Sequence, residues 1–229
     1  MTLFFRELGD GPPLVCVHGI GMSSRYLVPL MRELASDFHV FAPDLPGSGR
    51  SPKPPRALDM AQLSDALGAW LDEQRFDRPP LLGHSLGSQV VSELADRSPD
   101  RVGPLVLVSP TVDPATRDHL VWATIRDAPR EPPSLLWIAT VEFLRTGLLR
   151  FAATGRFALA DRVEERLRRI EQRTLVVDGA RDPIVTVPWS EQVARLLPHG
   201  RFAVVPDGAH GVPYGRPGEL AALVREFLV

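Results

Sequence analysis

Short, nearly uninterrupted apolar runs occur at 3–6, 14–17, 40–42, 81–82, 105–108, 175–177 and 203–205. Runs without polar alternation predict strands buried on both faces, as in a parallel sheet. Between them, apolar residues recur at helical spacing. Met60, Leu63, Leu67, Trp70 and Leu71 form one stripe, and Asp59 with Gln62 predicts a capping box at its start. Leu86, Val90, Val91 and Leu94 form a second stripe. Leu220, Leu223, Val224 and Phe227 form a third, with Pro217 near its first turn. Strand–helix alternation predicts an α/β domain with helices on both faces of the sheet.

The alternation stops between 111 and 170. Pro129, Pro132 and Pro133 punctuate this stretch, and helical patterns follow at 135–144, 148–153 and 163–170. The strand pattern resumes at Thr174. The expected organisation is a core domain built from 1–110 and 171–229, with a helical cap inserted at 111–170. One strand-like run precedes 14–17, so the expected sheet is mostly parallel and has about seven strands. Pro52, Pro54 and Pro55 mark a rigid loop and not a linker.

Composition narrows the function. Hydrophobic residues make up 44% and charged residues 24% of the 229, which are ordinary globular values and exclude whole-chain disorder. A net charge of −2 lacks the basic excess that nucleic acid or an anionic membrane would call for. The longest apolar stretches are about five residues, against the ~18 needed to span a bilayer. Arg6, Glu7 and Asp10 interrupt the start of the chain, which shows no apolar leader, so the expected location is cytoplasmic. Cys16 is the only cysteine, which excludes an intrachain disulfide and a multi-cysteine metal site. It lies between Val15 and Val17 and reads as buried strand packing. No H-E-x-x-H spacing exists, and the only lysine, Lys53, is not in a P-loop. Neither a metal nor a cofactor is expected.

The chemistry concentrates at Gly83-His84-Ser85-Leu86-Gly87. This G-x-S-x-G run follows a predicted strand and opens a predicted helix, the context the motif requires. A serine at the tip of so tight a turn has its neighbours pressed together. Glycines two positions either side relieve the clash and let Oγ project, while the helix aims its N-terminal N–H groups at the reaction centre.

With this motif in hand, the chain resembles the α/β-hydrolase superfamily over essentially its whole length. His18-Gly19-Ile20-Gly21 resembles the family's oxyanion-loop HG motif. Asp44-Leu45-Pro46-Gly47-Ser48-Gly49-Arg50-Ser51 resembles its D-x-x-G-x-G-x-S loop. An acid and a histidine follow the next-to-last and last predicted strands. The resemblance implies an α/β-hydrolase fold and a serine hydrolase. Two features depart from the family: the leading antiparallel hairpin lacks a strand, and Ser88 stands where many relatives have glycine.

A serine hydroxyl needs a base within hydrogen-bond reach. Of six histidines, His18 and His84 belong to glycine-flanked motifs, and His39, His119 and His199 read as surface. His210, in Pro206-Asp207-Gly208-Ala209-His210-Gly211 after the last predicted strand, is the expected base. The acid that orients it falls at Asp182 by family placement, with Asp178 and Asp207 as alternatives. Ser85, Asp182 and His210 follow the chain order of this fold. By the same resemblance, the backbone N–H groups of Ile20 and Leu86 are the oxyanion donors.

The 111–170 segment carries Trp122, Trp137, Phe143, Phe151 and Phe157. The first three are the expected lining of an apolar substrate pocket over Ser85, although for any one ring packing the cap against itself and the core is the favoured reading. Arg162, Arg166, Arg168 and Arg169 read as a solvated helix face paired with Glu164 and Glu165. The expected function is hydrolysis of small, apolar carboxylic esters through an acyl-enzyme. The same triad leaves open a C–C bond hydrolase, thioesterase, lactonase, aminopeptidase or perhydrolase. A silent receptor or scaffold of this fold is the non-enzyme alternative, and its sign, a lost triad member, is absent. The expected partner is a small ester-type molecule, with no nucleic acid and no membrane, in a monomer or homodimer.

Overall fold

A computed structural model describes residues 2–229. The elements in chain order begin β1 (Phe5–Leu8), β2 (Pro13–Val17), α1 (Val28–Leu34), β3 (His39–Pro43), α2 (Met60–Glu73), β4 (Leu81–His84), α3 (Leu86–Arg97) and β5 (Leu105–Val108). Four helices follow: α4 (Leu120–Asp127), α5 (Pro133–Thr146), α6 (Leu148–Ala160) and α7 (Val163–Leu167). The chain closes with β6 (Thr174–Gly179), α8 (Val187–Leu196), β7 (Gly200–Val205), α9 (Val212–Gly215) and α10 (Pro217–Leu228). The strands form one seven-stranded sheet in the order β1-β3-β2-β4-β5-β6-β7. β1 runs antiparallel to β3, and the other neighbours are parallel. This is the α/β architecture and strand count that the hydrophobic pattern predicts.

The apolar runs are continuous because both sheet faces are covered. Side chains alternate across a strand, so each run divides between two cores. Leu14, Cys16, Leu82, Val106 and Val177 pack with Leu30 of α1 and Leu220 and Val224 of α10. Val15, Val17, Leu81, Leu105 and Val176 pack on the opposite face with Leu67 of α2, Val90 of α3 and Val193 of α8. Cys16 is wholly buried in the first core, and burial pushes its thiol up to about 12. β4 extends past the apolar pair Leu81–Leu82 through Gly83 and His84, which carry the strand to the motif serine.

Local signals set the helix starts. At α2 the Asp59 side chain accepts from the Gln62 N–H at 2.9 Å, and the Gln62 side chain accepts from the Asp59 N–H at 3.1 Å. α10 opens on Pro217, whose missing N–H costs nothing in a first turn. Among the described residues no strand lies between β5 and β6, and no helix is long and apolar enough to cross a membrane.

Candidate active site

Ser85 occupies the single residue between β4 and α3, with φ 55° and ψ −119°. A Cβ on Gly83 would stand 2.5 Å from the Gly87 carbonyl oxygen, and one on Gly87 would stand 2.3 Å from that of Val17. Only glycine fits either place, which is the physical content of the motif. Ser88 is buried, and its Oγ donates to the Gly83 carbonyl at 2.7 Å. The turn therefore keeps its close packing with serine at the position where many relatives have glycine. α3 points its N-terminus at Ser85.

The loops after β6 and β7 meet at this serine. His210 Nε2 lies 3.1 Å from Ser85 Oγ, and its Nδ1 lies 2.7 Å from Asp182 Oδ2. The other Asp182 oxygen accepts from the N–H groups of Ile184 at 2.7 Å and Val185 at 3.0 Å, which locks the carboxylate. The partners assign the Nδ1 proton toward Asp182, leaving Nε2 free to accept from the serine hydroxyl. Burial disfavours a charged His210 ring, but the Asp182 carboxylate, with Asp127 and Asp178 farther off, outweighs it and pushes the ring up to about 9. For Asp182 burial also disfavours charge, and His210 with the two N–H donors holds the carboxyl below its usual range.

The other two candidate acids lie elsewhere. Asp178 is buried, and it accepts from Ser109 Oγ at 3.1 Å, Ser190 Oγ at 2.8 Å and its neighbour Gly179 N–H at 2.9 Å. Burial and the nearby Asp182 push it up to about 8. Asp207 sits half exposed in an ion pair with Arg181 at 2.5 Å.

On the opposite side of Ser85, the Gly19 loop packs so closely that a Cβ there would touch Ser85 Cβ at 3.3 Å. Among the described residues, the N–H groups of Ile20 and Leu86 have no partner within the chain. His18 is buried and held neutral by that burial, its pKa lowered. Its Nδ1 donates to the Gly19 carbonyl at 2.8 Å, and its Nε2 accepts from the Leu45 N–H at 2.9 Å. Asp44 accepts from the N–H groups of Ser24 at 2.6 Å and Arg50 at 2.8 Å, and the Ser51 hydroxyl donates to the Asp44 carbonyl at 2.6 Å. The HG and D-x-x-G-x-G-x-S segments are thus one interlocked unit.

His84 joins that unit to the histidine loop. The Gly19 N–H donates to Tyr26 Oη at 3.2 Å, Tyr26 Oη–H donates to His84 Nδ1 at 2.6 Å, and His84 Nε2–H donates to the His210 carbonyl at 2.8 Å. Burial, with His210 nearby, lowers the His84 pKa to about 3, so the ring stays neutral.

Ile20 and Leu86 also line a pocket. Leu45, Leu58, Leu63 and Phe151 give it apolar walls, and Thr146, Arg150 and Thr154 add polar ones. α6 forms its roof: the Phe151 ring would lie 2.7 Å from a Cβ on Gly21, and Gly155 faces the Ile20 side chain. The expected lining by Trp122 and Trp137 is corrected here. These rings are 68% and 65% exposed, because α4 turns Ala123 and α5 turns Leu135, Ile138 and Glu142 to the interior. Phe143 stacks edge-on against Phe151 at 5.1 Å and stands behind the lining, not in it. Arg166 is also corrected. It is buried and pairs with Asp161 and, at 2.6 Å, with Glu93, instead of lying on a solvated face.

Known proteins share this architecture. A model of the alpha/beta hydrolase family matches residues 14–223. The chain is similar to Esterase YbfF of Escherichia coli, at 25% identity over 96% of this chain and 94% of that one. It is 27% identical to the (E)-2-((N-methylformamido)methylene)succinate hydrolase of Acinetobacter baylyi, over 99% of this chain and 94% of the other. Among solved structures, a thermophilic esterase from Thermogutta terrifontis, determined with malate bound, superposes with a TM-score of 0.86 at 25% identity, covering 99% and 92% of the two chains.

Proposed function

The chain belongs to the alpha/beta hydrolase family, and from that premise we propose that it is a serine hydrolase that cleaves small carboxylic esters through an acyl-enzyme. The observation that carries the reading is the line Ser85 Oγ, His210, Asp182, with steps of 3.1 and 2.7 Å. Ser85 Oγ attacks the ester carbonyl carbon as His210 Nε2 takes its proton. Asp182 holds the ring in the correct tautomer and stabilises the imidazolium. The oxyanion sits between the N–H groups of Ile20 and Leu86, which are free to donate. As the C–O bond breaks, His210 returns the proton to the departing alkoxide. Water, deprotonated by the same ring, then releases the acid and regenerates Ser85.

Leu45, Leu58, Leu63 and Phe151 favour a short apolar group in the pocket. A second reading has one observation behind it. Arg150 lines the same pocket and, among the described residues, pairs with no carboxylate; it donates instead to the Arg56 carbonyl at 3.1 Å and to that of Pro54. That favours acyl groups ending in a carboxylate, a chemistry in keeping with the succinate named for the Acinetobacter relative. Turnover of p-nitrophenyl butyrate against the mono-p-nitrophenyl ester of glutarate separates the two readings. Thioester, lactone, peptide and diketone panels on the same protein separate the other reactions open to this triad.

A fluorophosphonate probe should label Ser85, and Ser85→Ala should lose at least about 10³-fold in kcat on p-nitrophenyl esters. A wild-type protein that is neither labelled nor active on any ester would overturn the reading.

A further inference from the structure

We propose that Asp127 and Glu131, contributed by the helical segment between β5 and β6, are positioning residues that fix the backbone of the His210 loop. The proposal rests on the reading of His210 as the base. Asp127 Oδ1 accepts from the His210 N–H at 3.2 Å, and Glu131 Oε1 accepts from the Gly211 N–H at 2.6 Å. Both carboxyl residues are buried, at 7% and 9% exposure, where a charged group is costly without partners. Gly211 is shaped for this contact. A Cβ there would stand 2.8 Å from one Glu131 oxygen and 2.6 Å from Leu135.

The His210 backbone is then gripped from both sides, its N–H by Asp127 and its carbonyl by His84. Its ring is gripped by Asp182 and Ser85. Three of these four contacts come from the core, and one comes from the end of α4. The base is therefore correctly placed only while the α4 end and the turn after it are docked against the core. The end of α4, the turn after it and the histidine loop become one unit, and lifting the first two releases the third.

The charges around the ring agree with this arrangement. His210 is faced by Asp182 and, farther off, Asp178 from the β6 side, by neutral His84 from β4, and by Asp127 and Glu131 from the helical segment. Burial raises both carboxyls, Glu131 to about 7, while the nearby His210 ring opposes the rise. The Asp127 carboxylate in turn raises the His210 pKa.

The test compares the full-length wild type with Asp127→Ala, Glu131→Ala, the single variants Asp127→Asn and Glu131→Gln, and the double Asn/Gln variant. Three readouts are needed: kcat and KM on p-nitrophenyl butyrate, melting temperature, and the His210 ring titration followed by NMR. The alanine variants should lose about 10²-fold in kcat with KM little changed, because a displaced base costs the chemical step. The single Asn and Gln variants keep an acceptor oxygen at each position, and should recover most of kcat. The double variant keeps the acceptors but has neither carboxylate, so its His210 titration should move to lower pH. Alanine variants with wild-type kcat and an unmoved His210 titration would overturn the proposal, whatever their melting temperature. The titration reads the loop directly, so a wild type inactive on every ester counts against the serine hydrolase reading and leaves this one decidable.

Discussion

The Tyr26 hydroxyl lies 2.6 Å from His84 Nδ1, and this one contact joins the glycine loop on one side of Ser85 to the histidine loop on the other. Both groups are buried. Tyr26→Phe removes the hydroxyl and leaves the Gly19 N–H and His84 Nδ1 without their partner. A buried group left unpaired costs about 1–3 kcal/mol, and that loss should appear in urea unfolding. Because Gly19 packs on Ser85 and His84 holds the His210 carbonyl, kcat should fall along with stability. A Tyr26→Phe variant with unchanged kcat would show that the bridge serves the fold alone.

The acidic surroundings of His210 set the direction of the pH profile. In the proposed mechanism His210 must be neutral to accept the Ser85 proton, and its pKa is raised to about 9. kcat/KM, which reports the free enzyme, should therefore keep rising from pH 6 toward about 9. Asp182→Asn removes the charge that contributes most to the rise. Its ascending limb should move to lower pH while its maximum falls by about 10⁴-fold, the cost of a wrongly held imidazole. A profile flat from pH 6 to 9 would contradict the raised pKa of His210.

What the sequence revealed follows from the range of each interaction. The G-x-S-x-G turn is readable because its constraint is local: Gly83 and Gly87 answer to each other across four residues and to the end of β2. The strands are readable because burial on both faces leaves no polar alternation. Tyr26, Asp127 and Glu131 gave no signal, since each acts on a partner far along the chain, at separations of 58, 83 and 80 residues. An aspartate at a helix end looks the same whether it meets solvent or a histidine loop. Trp122 and Trp137 misled for a related reason. Aromatic content does not say which face of a helix meets the core, and here that face belongs to Ala123, Leu135 and Ile138. Arg166 sits among arginines that are exposed, and its burial between Asp161 and Glu93 of α3 sets it apart.

Asp178 should make the fold more stable in mild acid. Its folded pKa is raised to about 8, whereas an unfolded aspartate titrates near 3.9. Above about pH 4 the unfolded chain releases this proton while the folded chain keeps it, so stability declines until about pH 8. Asp178→Asn imitates the protonated carboxyl, keeping an acceptor for Gly179 N–H and Ser109 and an N–H for Ser190. The variant should lose that decline and be more stable than wild type at pH 7, by on the order of 1–3 kcal/mol. Unfolding free energies of both proteins at pH 5 and pH 8 provide the check, and parallel curves would show that Asp178 is ionised in the folded chain.

Gly87→Ala tests whether the tight turn or the serine alone makes the site. The added methyl would fall 2.3 Å from the Val17 carbonyl oxygen and 2.9 Å from that of His18. Both are backbone atoms at the end of β2, so no side chain can swing aside. Either α3 retreats with Ser85 or the Gly19 loop moves away from it. Overpacking of this kind costs about 1–3 kcal/mol, a modest loss for a folded domain. The catalytic effect should be larger, since in the proposed mechanism Ser85 Oγ and the N–H groups of Ile20 and Leu86 must meet one carbonyl group within a fraction of an ångström. We expect a protein that folds and binds substrate with KM little changed, and that loses about 10²-fold or more in kcat. A fall in stability with full kcat would mean that the turn relaxes without moving the nucleophile.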